Sequence, residues 1–124
     1  MARCLLILGS LNAAAAVILG AFGAHGLRPR LAPGMLAVYQ TGVQYHFYHA
    51  MGLLLIGVIA YHLPASPWLR WSGWIMFAGI ILFSGSLYLL SVTQLRWLGM
   101  ITPVGGLAFI TAWLFLTYAV FTSK

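Results

Sequence analysis

The sequence predicts an all-α integral-membrane protein, a bundle of four transmembrane helices with an interfacial lead-in to helix two. Three observations predict it. Hydrophobic side chains make up 63% of the 124 residues and charged ones 5%, against roughly 25% charged usage in soluble domains. Mean hydropathy is +1.01, more apolar surface than six cations can cover in water. Four apolar runs, each near the roughly 20 residues that cross a bilayer, are separated by short segments holding Pro, Gly and Arg.

The first helix is expected over about 4–22, which at 1.5 Å per residue reaches about 28 Å, close to the hydrocarbon thickness. Arg3 followed by an apolar run and small residues resembles a signal peptide, but the run is long enough to span and is read as a retained helix. Gly9, Ala13, Ala16 and Gly20 recur at spacings of four and three. A stripe of small residues lets a second helix approach closely, which matters because lipid offers no hydrophobic drive for helix association. Asn12, inside this run, needs a hydrogen-bond partner on another helix.

The glycines of Gly20-Ala21-Phe22-Gly23-Ala24-His25-Gly26 suit a helix end. Arg28-Pro29-Arg30 and Pro33-Gly34 then make a turn with two cations at headgroup level. Helix two is expected over about 35–62, too long for a simple span, with a bend near Gly42. Helix three is expected over about 68–91, opened by the interfacial group Trp68, Trp71 and Trp74. Residues 92–101 connect to helix four, about 103–122, with Thr102 as its N-cap and Pro103 as its first residue. A faint echo links Phe22-Gly23-Ala24-His25 to Phe83-Ser84-Gly85-Ser86. Residues 1–124 form a single transmembrane domain.

Four crossings place both termini and the 62–70 turn on one side, and loops one and three on the other. Topology then gathers four polar or glycine-rich segments at one end of the bundle. They are His25; the stretch carrying Gln40, Thr41, Gln44, Tyr45, His46 and His49; the end of helix three with Ser84, Ser86 and Tyr88; and the start of helix four with Thr102, Gly105 and Gly106. Tyr45 and His49, four residues apart, are expected to point into the bundle. Gly23, Gly52, Gly85, Gly105 and Gly106 join Gly9, Ala13 and Gly20 as expected helix-contact positions. Arg3, Arg70 and Lys124 on the terminal side balance Arg28, Arg30 and Arg96 on the other, and the α-amine tips the termini toward the cytoplasm.

The composition limits function. The formal charge of +6 is scattered singly at the ends of apolar runs, where lipid phosphates are the natural partners, and forms no stripe for nucleic acid. One cysteine permits no internal disulfide. With no Asp or Glu, paired-carboxylate catalysis is excluded and no acid can orient a histidine beside Ser84 or Ser86. His25, His46 and His49 are the weak metal candidates, imidazoles being ligands for Zn or Cu, but no Cys or carboxylate completes a set. No cofactor is predicted; metal, haem or quinone at a His25/Tyr45/His46/His49 cluster stays open, as does a small transporter formed by oligomerisation. The leading reading is a non-enzymatic structural or accessory membrane component that contacts lipid and either a larger complex or further copies of itself.

The motifs at 20–26, 40–49, 82–88 (Leu82-Phe83-Ser84-Gly85-Ser86-Leu87-Tyr88) and 102–106 (Thr102-Pro103-Val104-Gly105-Gly106) resemble, in order, the domain of unknown function 423 family. These are small multi-span proteins of bacterial inner membranes, with animal relatives called transmembrane protein 256. The resemblance covers nearly the whole chain. It implies a multi-pass protein of the bacterial inner membrane and carries no activity.

Overall fold

The computed structural model describes residues 1–123. Lys124, counted above among the cations of the terminal side, lies outside them. The elements are α1 (Ala2–Phe22), continued by a π-helical turn (Gly23–Leu27); α2 (Pro33–His62); α3 (Pro67–Gly79), continued by a second π turn (Ile80–Ser84) into α4 (Gly85–Thr93); a 3₁₀ segment (Arg96–Met100); and α5 (Thr102–Phe121). They form four helical spans, Ala2–Leu27, Pro33–His62, Pro67–Thr93 and Arg96–Phe121, each long and apolar enough to cross a membrane. The chain is an all-α membrane protein.

Several boundaries differ from the sequence reading. The first span does not end at Phe22, because the glycines of 23–27 continue it as a π turn, and His25 therefore sits on a helix and not in a loop. Leu19, whose carbonyl lies just ahead of that turn, accepts the Tyr39 hydroxyl at 2.6 Å. α2 begins at Pro33, whose missing N–H costs nothing at a helix start. The lead-in is simply the first turns of this helix, which runs unbroken through Gly42. Thr102 does not cap α5; the N-cap is Ile101, and the Thr102 hydroxyl is used elsewhere. Both segments of the faint internal echo fall at π turns.

α2 and the third span are central, with α1 against α2 and α5 against α3. Met1 and Ser123 both border hollows at the 63–67 turn, so the termini share one end. The predicted stripe on α1 faces α2. A methyl group built on Gly9 would lie 2.9 Å from the Leu54 nitrogen and 3.0 Å from the Ala50 oxygen, one on Gly20 would meet Val43 at 3.2 Å, and one on Gly23 would overlap the Tyr39 ring. Ala13 is half-buried on that side, and Ala16 is fully buried.

Gly52 is equally tight, 2.6 Å from Met76 Sδ by the same construction, and Gly105 would drive a methyl into the Phe83 backbone. Two expected contact glycines are not contacts. Nothing lies within 4 Å of a methyl on Gly85, and one on Gly106 meets only the Phe83 ring at 3.9 Å. The apolar core is built on Leu5, Leu53, Ile56, Leu69, Met76 and Phe109.

Candidate functional site

Because α2 is flanked by several spans, even polar residues three apart on it are buried against different neighbours. His46 and His49 are each about 5% exposed and straddle the midpoint of this helix. They do not converge. His46 turns to α1 and α4, while His49 turns to α5.

The His46 side is a directional chain. The Asn12 Nδ2–H donates to the Leu8 carbonyl at 2.8 Å, which leaves Asn12 Oδ1 as acceptor. The His46 Nε2–H therefore donates to that oxygen at 2.9 Å. His46 Nδ1 is then the acceptor for the Tyr88 hydroxyl at 2.8 Å. Three spans are thus joined by neutral groups whose donors and acceptors match one to one. Asn12 has the partner on another helix that its position demanded. The Tyr88 ring lies against Tyr39, centroids 5.3 Å apart, over the gap left by Gly42.

At His49, about 60° around the helix from His46, the tautomer is reversed. The His49 Nδ1–H donates to the Tyr45 carbonyl at 2.8 Å, and Nε2 accepts the indole N–H of Trp113 at 3.1 Å. The imidazole stacks on Phe109 with centroids 3.5 Å apart and planes 7° from parallel. Beside it a crevice of about 760 Å³ is lined by Tyr45, His49 and Phe83 with Pro103, Gly106, Leu107, Phe109, Ile110 and Trp113 of α5.

His49 points inward as expected. Tyr45 does not: it is 38% exposed, and its ring lies against Phe83, centroids 4.7 Å apart, on the crevice wall. In a chain with Cys4→Ser, a cysteine at position 45 is expected to react readily with a membrane-soluble maleimide and one at position 49 to stay protected. Equal labelling would contradict this geometry.

The remaining expected residues scatter. His25, Gln40 and Gln44 are exposed. Gln40 and Gln44 border a separate hollow of about 280 Å³ between the first span and α2. The Thr41 hydroxyl donates to the Ala37 carbonyl of its own helix at 3.0 Å. The Ser84 hydroxyl donates to the Gly42 carbonyl at 2.7 Å, locking the third span to α2. Ser86 bonds the Phe83 carbonyl at 2.9 Å and the Thr102 hydroxyl at 2.6 Å, locking the third span to the fourth. The proposed four-residue cluster is therefore not one site. Among the described residues, no three His or Cys side chains are grouped so that they could share a metal ion.

The sequence reading missed Tyr39, Ser72, Phe109 and Trp113. Ser72, fully buried, donates to the Ala112 carbonyl at 2.7 Å. Only Trp113 had a signal of its own. The other four tryptophans fall at span ends, where the ring suits the interface, whereas Trp113 falls inside an apolar run and so needs an acceptor for its N–H.

A family model described as "Protein of unknown function (DUF423)" matches residues 19–106. The chain is 53% identical to the UPF0382 membrane protein YwdK of Bacillus subtilis over 92% of its length and 93% of that protein. It is 47% identical to a UPF0382 membrane protein of Staphylococcus saprophyticus, over 94% of its length and 95% of the relative. A Staphylococcus aureus counterpart is 48% identical, over 94% and 93% respectively. No solved structure matches the chain significantly. Matched along more than half its length by one model and along nearly all of it by these membrane proteins, the chain belongs to the DUF423 family.

Proposed function

We propose that the protein is a non-enzymatic structural or accessory component of a bacterial inner membrane, with cytoplasmic termini, that offers a fixed helical surface to a larger membrane assembly. One observation carries the reading. Among the described residues, every buried side-chain nitrogen and oxygen has a hydrogen-bond partner, and the bonds of Asn12, Ser72, Ser84, Ser86 and His46 tie one span to another. A nucleophile needs a base within hydrogen-bond reach, yet Ser84 and Ser86 bond to carbonyls and to Thr102, and both nitrogens of His49 are engaged. A framework so fully committed suits holding a shape more than turning over a substrate. The names of the relatives support membrane residence in bacteria.

The test uses the full chain with a cleavable C-terminal tag, extracted from its native membrane in gentle detergent and weighed intact by native mass spectrometry. A discrete complex of fixed stoichiometry is expected, and recovery of the monomer alone would overturn the assembly role. Protease should remove the tag in inverted vesicles and spare it in right-side-out ones; the reverse pattern would overturn the orientation.

A further inference from the structure

The crevice between α2 and α5 differs from an ordinary lipid-facing seam in three respects. Its volume of about 760 Å³ falls within the range of small-molecule sites, roughly 300–1,000 Å³. Its walls are largely flat rings: Tyr45 and Phe83 tilted against each other, Phe109 under His49, and Trp113 bonded to the same imidazole. It opens sideways to lipid past Leu107 and Ile110, both more than half exposed.

The polar groups narrow the occupant further. His49 and Trp113 satisfy each other, so the crevice keeps one unspent donor, the Tyr45 hydroxyl, which makes no hydrogen bond within the described residues. It belongs to a side chain 38% exposed on the crevice wall, and in hydrocarbon an unpaired hydroxyl is costly. An acyl chain would leave it unpaired. A phosphate would find no cation, since none lines the crevice.

We infer that the crevice binds a planar, lipid-soluble ring bearing a carbonyl oxygen, quinone in class, held between the Tyr45, Phe83 and Trp113 rings with the Tyr45 hydroxyl donating to the carbonyl. Binding alone is meant, with no bond made or broken. Gly106 is the access point for a test. A Cβ there meets nothing closer than the Phe83 ring at 3.9 Å, and Gly106 lines the crevice, so a larger side chain can be introduced at its wall with no clash at the Cβ.

The full chain in phospholipid nanodiscs is titrated with decylubiquinone while tryptophan fluorescence is read. Saturable quenching is expected. It should be lost in Gly106→Leu, weakened in Trp113→Phe (which removes the tryptophan lining the crevice and leaves the other four), and shifted five- to tenfold to higher concentration in Tyr45→Phe. Gly85→Leu, the matched control at a glycine equally free of neighbours but outside the crevice, should behave as the unmodified chain. Quenching that rises without saturation, or saturates alike in Gly106→Leu and Gly85→Leu, would overturn the inference. Should Gly106→Leu fail to fold, Tyr45→Phe decides, and an unchanged midpoint there sinks it. Equal competition by decylbenzene, which has no carbonyl, would show an acyl-type slot and also overturn it. The accessory role stands apart: a monomer in the mass measurement leaves this quenching intact, and absent quenching leaves the complex intact.

Discussion

Gly105→Ala is expected to destabilise the protein by about 3 kcal/mol, at the upper end of what overfilling a well-filled core costs, while Gly106→Ala changes stability by no more than about 0.5 kcal/mol. The two substitutions are chemically identical and adjacent. The methyl at 105 would lie 2.7 Å from Phe83 Cα and 2.8 Å from its Cβ, whereas at 106 the nearest atoms are at 3.9 Å. Backbone cannot rotate out of the way as a side chain can, so α5 must move off the third span. That displacement strains the Ser86–Thr102 bond and loosens the contact of Phe109 with Gly79. Unfolding by sodium dodecyl sulfate, followed by circular dichroism, measures both variants. Equal midpoints would show that the third and fourth spans are not in backbone contact here.

His46→Leu carries the second large effect. Leucine fills much of the same volume but leaves the Tyr88 hydroxyl and Asn12 Oδ1 without their partner. Two orphaned polar groups are expected to cost about 2–4 kcal/mol together, taking about 1–2 kcal/mol for each membrane hydrogen bond. The distinguishing measurement is the triple variant Asn12→Leu, His46→Leu, Tyr88→Phe, in which no polar group is stranded. It should recover at least half of the loss, because replacing all partners of a buried network is far cheaper than removing one. If the triple variant is as unstable as the sum of its parts, the three side chains act independently and the chain of bonds does not hold the spans together.

Both predictions turn on relations that single residues conceal. The need of Asn12 for a partner was legible, because an amide in an apolar run must bond to something. Its partner was not, because nothing in the run distinguishes His46 from His49 or Tyr88. The reversed tautomers of the two histidines likewise depend on neighbours brought from other spans, Asn12 and Tyr88 for one, Trp113 for the other. Of the adjacent glycines 105 and 106, composition says only that both are small. Which one touches Phe83 depends on the rotation of α5 about its axis and on the π turn at Ile80–Ser84, for which the sequence offers no marker beyond its echo of residues 22–25.

The sequence by itself determined that the chain lies in a membrane, that it crosses four times with both termini at one end, and which family it belongs to. Transfer of apolar surface out of water is additive over a run of residues, so it can be read without knowing what touches what. Only the tertiary structure decided that α2 is central, that its two buried histidines bond to different spans, and that Tyr45 turns outward onto an aromatic crevice. Those outcomes rest on helix rotation and on close contacts of a few tenths of an ångström, and in lipid they are settled by van der Waals fit and hydrogen-bond pairing between spans distant in sequence.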